Sequence, residues 1–123
     1  MSVLDASAVL AFLRDEPGAD AVEAAISTGV IAAPNWSEVV QKLRRASVSA
    51  DLLTVRLLAT GVEVEPLFRV DAELAAEIWD LHPSLSLADR SCLAVAARLE
   101  LPVLTADAAW FGVDIGVDVV VIR

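Results

Sequence analysis

Carboxylates stand at four places where a fold could put them to chemical use: Asp5 in VLDAS, Glu38 in PNWSEVV, Asp89 in SLADRSC and Asp107 in LTADAAW. Asp5 and Asp107 each follow a short apolar run of the kind that becomes a buried strand. Glu38 and Asp89 lie near the starts of helical segments. Ligands of open α/β sheets collect beyond the carboxyl ends of the strands, so neighbouring strands would turn all four acids toward one cleft. Each acid also fits a plainer role as a helix cap. Asp5 and Asp107 precede helical stretches, while Asn35–Glu38 and Ser86–Asp89 have the spacing of a capping box. A phosphate-bearing substrate in such a cleft needs local positive charge, from a bound cation or an Arg cluster. His82 and Cys92 are each single, which argues against a zinc site.

Positioning those acids requires a particular run of elements. Residues 2–4 read as a buried strand and Ala6–Arg14 as a helix. EPG at 16–18 is a break, with Pro17 placed to open a second helix reaching about Ser27. Val30–Ala32 is a second strand, stopped by Pro34, and a helix is predicted from Asn35 to Ala46. Ser49 is placed to cap a further helix that ends near Thr60, with Gly61 as its stop. Val62–Glu65 is a third strand. In the helix after it, Val70, Leu74, Ile78 and Leu81 form one apolar stripe. Ser86–Glu100 is helical, with Ala88, Cys92, Val95 and Leu99 along one face. A strand and loop over 101–107 and a last strand over 119–122 complete the series. Strands alternating with helices indicate an α/β fold whose parallel sheet is covered on both sides.

The whole chain constrains partners and compartment. Its 123 residues suit one domain, and the 57% hydrophobic share implies a full core or an apolar surface that meets another chain. No apolar run approaches the roughly 18 residues of a membrane span. There is no basic stretch followed by an apolar block at the start, and Cys92 is alone; both predict a cytosolic (cytoplasmic) protein without disulfides. The net charge of −9 opposes nonspecific nucleic-acid binding through bulk electrostatics.

Taken together, VLDASAVLAFL, NWSEVV and SLADRSCLAVAARLELPVLTADAAW resemble the PIN-domain ribonucleases, specifically the VapC-type toxins of bacterial toxin–antitoxin pairs. The resemblance covers nearly the whole chain. It implies a single PIN domain over 1–123, a three-layer α/β/α sandwich with a mainly parallel sheet of four to five strands. It further implies an endoribonuclease dependent on Mg²⁺, or on Mn²⁺ in its place, with Asp5, Glu38, Asp89 and Asp107 as its catalytic and metal-holding acids. Ser7 and Thr105 match the hydroxyls that support such acids. Arg90 stands beside Asp89 where many relatives carry a small residue. A cognate antitoxin, an RNA substrate and a homodimeric toxin are the partners implied.

The chemistry suits these residue types, because Mg²⁺ takes oxygen ligands and keeps several waters. Arg14, Lys42, Arg44, Arg45 and Arg90 are candidates to guide RNA phosphates, with a solvated face as the competing reading; Arg90 is expected to pair with a neighbouring carboxylate instead. Trp36, Trp79 and Trp110 are assigned to the core or an interface. A phosphotransfer receiver needs a lysine near its late strands, but the only lysine is Lys42. A phosphatase with an aspartate nucleophile needs a second Asp where Ser7 stands. The remaining rival is a catalytically inactive PIN-like module that binds RNA or protein as a regulator.

Overall fold

A computed structural model describes residues 1–46 and 49–123. Five strands form its sheet: β1 (Val3–Leu4), β2 (Val30–Ala32), β3 (Glu63–Glu65), β4 (Val103–Thr105) and β5 (Val119–Val121). Their order is β3-β2-β1-β4-β5, and every neighbouring pair is parallel. Six helices connect them among the described residues: α1 (Ala6–Leu13), α2 (Ala19–Ala25), α3 (Ala33–Ala46), α4 (Ala50–Ala59), α5 (Arg69–Leu81) and α6 (Leu87–Leu99).

The strands are only two or three residues long, yet their alternation separates two cores. Leu4, Ile31 and Leu104 point to one face and pack with Val9, Val22, Val39 and Leu57 from α1, α2, α3 and α4. Val3, Val30 and Val103 point to the other and pack with Ile78, Cys92 and Leu93 from α5 and α6. A side-chain period of two therefore yields helix, sheet and helix as three layers. The α/β/α sandwich and parallel sheet expected from the sequence are found.

The chain's path places a crevice beside β1. From β1 it moves outward through β2 and β3, then returns across the sheet to β4 on the other side of β1. The sheet reverses its winding between β1 and β4, and in open α/β sheets such a switch point is where ligands bind. Asp5 follows β1, and its N–H donates to the Leu104 carbonyl at 2.9 Å. Thr105 ends β4.

Two helix boundaries differ from expectation. α3 begins at Ala33 instead of Asn35, with Pro34 in its first turn. Pro lacks an N–H that the first turn does not use, so it starts this helix rather than merely ending the strand. α2 begins at Ala19 and stops at Ala25, followed by a 3-10 turn over Ile26–Thr28. Its N-cap is Gly18, at φ +95°, where an added Cβ would stand 2.6 Å from the Ile122 carbonyl oxygen. The close approach of the C-terminal segment requires glycine there, and Pro17 lies in the turn before it.

Candidate active site

Asp5 is 3% exposed at the switch point, an unusual place for a carboxylate. Ser7 Oγ donates to its Oδ2 at 2.5 Å, and Thr105 Oγ1 donates to the same oxygen at 3.0 Å. Each hydroxyl has one hydrogen, so both are spent on Asp5 and the 3.2 Å approach between them is only a contact. Their lone pairs accept from the backbone: Ala106 N–H donates to Ser7 Oγ at 3.0 Å, and Asp107 N–H to Thr105 Oγ1 at 3.1 Å. The two hydroxyls thus fix Asp5 from one side and the loop carrying Asp107 from the other.

From α3, the Asn35 amide Nδ2 approaches Asp5 Oδ1 at 3.5 Å. Among the described residues no Lys, Arg or His forms an ion pair with Asp5. Burial raises the Asp5 pKa. The Ser7 and Thr105 hydrogen bonds pull it down, the Asp89 charge pushes it up, and burial prevails. Asp5 does not cap α1 with its side chain, contrary to the plainer reading of its position.

The other acids occupy different surroundings. Asp89, in the first turn of α6, accepts the Ser86 N–H at 3.0 Å while Ser86 Oγ accepts the Asp89 N–H at 3.1 Å. That capping box is real, and it occupies only Oδ2 of Asp89. Asp107 is exposed, with Oδ1 accepting the Ala109 N–H at 2.9 Å. Glu38 is half-buried on α3. The capping box expected between Asn35 and Glu38 does not form, because α3 starts two residues earlier and carries Asn35 into the interior.

Cys92 reports on how these groups converge. Its buried thiol is held well above its ordinary range first by desolvation, then by the charges of Asp5, Asp89 and Glu38. Asp5, Asp89 and Glu38 thus lie near enough to Cys92 for their charge to be felt there, whereas Asp107 is tied to Thr105 through its backbone N–H and turns its carboxylate to the Ala109 N–H. Among the described residues no group of three or more His, Cys, Asp or Glu side chains is arranged to hold a metal ion. Carboxylates without a cation repel one another, and two of these four are turned partly toward backbone N–H groups. Asp5, Glu38, Asp89 and Asp107 offer only hard oxygen donors, the kind Mg²⁺ or Mn²⁺ takes. Cys92 is buried with a raised pKa and is no competing thiolate ligand.

The basic candidates divide. Lys42, Arg44 and Arg45 are exposed along α3, and Trp36, Gln41, Arg44 and Arg45 help line an open groove of about 610 Å³. Arg14 is exposed, 3.9 Å from Glu16. Arg90 does not pair with a carboxylate as expected. Its guanidinium donates to the Leu85 and Ala75 carbonyls at 3.3 and 2.8 Å, tying the start of α6 to α5. Among the tryptophans, Trp110 is core, Trp36 is half-buried and Trp79 is 53% exposed.

The PIN domain family matches residues 2–115. No curated protein sequence matches significantly. Solved structures do. A toxin–antitoxin complex from Klebsiella pneumoniae is similar at 21% identity and a TM-score of 0.82, over 100% of this chain and 98% of that one. VapBC from Salmonella typhimurium, bound to DNA, is similar at 16% identity and TM-score 0.73, over 98% of each chain. Mycobacterium tuberculosis VapC20, described as a sarcin-ricin loop cleaving toxin, is similar at 19% identity and TM-score 0.65, over 96% of this chain and 99% of that one.

Proposed function

This chain belongs to the PIN domain family, and we propose that it is a VapC-type toxin: an endoribonuclease dependent on Mg²⁺, or Mn²⁺ in its place, and restrained by a cognate antitoxin. One observation carries the reading. Asp5 is buried at the sheet's switch point with a raised pKa, a field of like charge from Asp89 and no ion-pair partner among the described residues. Stability alone gives no reason to keep such a group. A divalent cation supplies its missing countercharge. The VapC20 similarity supports RNA as substrate, and the Klebsiella and Salmonella complexes support an antitoxin partner.

A bound ion supplies Lewis-acid chemistry, lowering the pKa of an attacking water and neutralising phosphoryl charge. The chain's own groups do the positioning. Asp5, Asp89 and Asp107 would hold the ion, directly or through water, and Glu38 would orient the attacking water. Ser7 and Thr105 both hold Oδ2, which keeps Asp5 in one rotamer and leaves Oδ1 with only the long Asn35 contact. Lys42, Arg44 and Arg45 on α3 take RNA phosphates ahead of the acids. The inactive regulatory alternative loses ground, because a module without chemistry gains nothing from an uncompensated buried carboxylate.

The test is cleavage of structured RNAs by the purified protein in Mg²⁺ or Mn²⁺. EDTA should stop it, and Asp5→Asn or Asp107→Asn should lower it by about a hundredfold or more. Cleavage that continues in EDTA, or at wild-type rate in Asp5→Asn, defeats the proposal.

A further inference from the structure

Asn35 is completely buried, one turn ahead of Glu38 on α3. Its Nδ2 carries two hydrogens and meets two acceptors. One is Asp5 Oδ1 at 3.5 Å, a long contact; the other is the Ala88 carbonyl at 3.2 Å. Ala88 directly precedes Asp89 in the first turn of α6. A single amide therefore bridges the end of β1, the first turn of α3 and the first turn of α6, the segments that carry Asp5, Glu38 and Asp89. Chemistry settles which way the carboxamide faces: reversed, its oxygen would oppose a carboxylate oxygen and a peptide carbonyl. In the observed orientation Oδ1 is buried without a hydrogen-bond partner among the described residues. The donor end is the half of the side chain that finds partners, and both belong to segments of the acidic site.

We infer that Asn35 is a positioning residue for the acidic site, holding Asp5 in register with the helices that bring Glu38 and Asp89. The inference rests on reading those acids as a divalent-ion site, and it adds the group that sets their spacing. Asn35→Ala removes the bridge and leaves a gap. Asn35→Asp keeps the shape and turns both donor contacts into oppositions of oxygen against oxygen.

The test is Mn²⁺ titration by calorimetry of the wild type, Asn35→Ala, Asn35→Asp and Asp5→Asn, with unfolding curves in EDTA and kcat and KM on a structured RNA. Both Asn35 variants are expected to bind Mn²⁺ about 10- to 100-fold more weakly; at saturating Mn²⁺, kcat is expected to be lowered, with KM for RNA within about twofold of wild type. A residue that only packs predicts something else: both variants destabilised in EDTA, but Mn²⁺ affinity unchanged in the folded protein. Wild-type or tighter Mn²⁺ binding by whichever variant folds overturns the inference. So does failure of both to fold at saturating Mn²⁺, since the core would then be what Asn35 serves. Mn²⁺ binding that is absent in the wild type, or undiminished in Asp5→Asn, refutes the metal-site reading itself. Binding lost in Asp5→Asn but kept in both Asn35 variants refutes only the role of Asn35.

Discussion

Asp5 makes the folded protein's stability depend on pH in a direction opposite to most paired carboxylates. Its folded pKa is raised by burial against the opposing pull of Ser7 and Thr105, so the folded state holds its proton more tightly than the unfolded state does. The contribution is fully present below the ordinary value of 3.8 and is lost as pH rises through the folded pKa. Asp5→Asn removes that loss. Both hydroxyl bonds go to one oxygen, which the amide retains, and the displaced contact is the long one to Asn35. In EDTA the variant should melt above wild type at pH 7, with the gap closing as pH falls through the raised folded pKa toward 3.8. A lower metal-free melting temperature at pH 7 would count against charge crowding. Ser7→Ala acts differently, because Ser7 also satisfies the Ala106 N–H. Leaving that donor unpaired should cost about 1–3 kcal/mol in urea unfolding, and Asp5, without its shortest bond, should bind Mn²⁺ more weakly. A wild-type unfolding midpoint would show that water replaces the hydroxyl at no cost.

Helix and strand ends decide how far the site was legible in the sequence. Asp5 with Ser7, and Thr105 with Asp107, are local patterns that follow short apolar runs, and the fold keeps them local. Asn35 was hidden. It reads as a cap because Pro34 reads as a stop, whereas Pro34 lies inside the first turn and Asn35 inside the core. Its partners, Asp5 and Ala88, are 30 and 53 residues away, and no periodicity encodes that. The junction of β3, α5 and α6 was equally hidden. Arg98 Nε donates to the buried Asp71 at 2.9 Å and its Nη1 to Glu65 at 3.0 Å, while its guanidinium lies 4.8 Å over the Phe68 ring. Burial alone would raise the Asp71 pKa. The Arg98 hydrogen bond, the Phe68 N–H and the Arg98 charge outweigh it, so the net shift is downward. This contribution is present above 3.8 and lost as pH falls through the folded pKa, the reverse of Asp5. Arg98→Met should cost about 3 kcal/mol at pH 7 by stranding Asp71, toward the low end because Arg98 is partly exposed. Burial would then dominate, so the variant should gain stability relative to wild type as pH falls below 3.8. Parallel pH profiles for the two proteins would rule this out.

Across the whole molecule, 18 acidic and nine basic residues set a net charge of −9, and RNA is also an anion. Long-range electrostatics therefore repel RNA, the proposed substrate, and its affinity would have to come from charge that is local or borrowed. Locally, α3 exposes Lys42, Arg44 and Arg45. The borrowed charge, on the proposed reading, is that of a divalent ion, which would reverse the field at the acidic site. These sources separate by salt. Three phosphate contacts to a single strand give a log–log salt slope of about −2, and the ion's contribution should vanish in EDTA. Fluorescence anisotropy with a non-cleavable RNA analogue should show at least tenfold weaker binding in EDTA than in Mn²⁺. Lys42→Ala with Arg45→Ala should flatten the salt slope by about one to two while leaving Mn²⁺ affinity in place. Equal RNA affinity with and without Mn²⁺ would mean that the acids do not face the bound phosphate. The basic surface of α3 would then be the whole of the binding site, and a chain so negative overall would be recognising RNA through one helix alone.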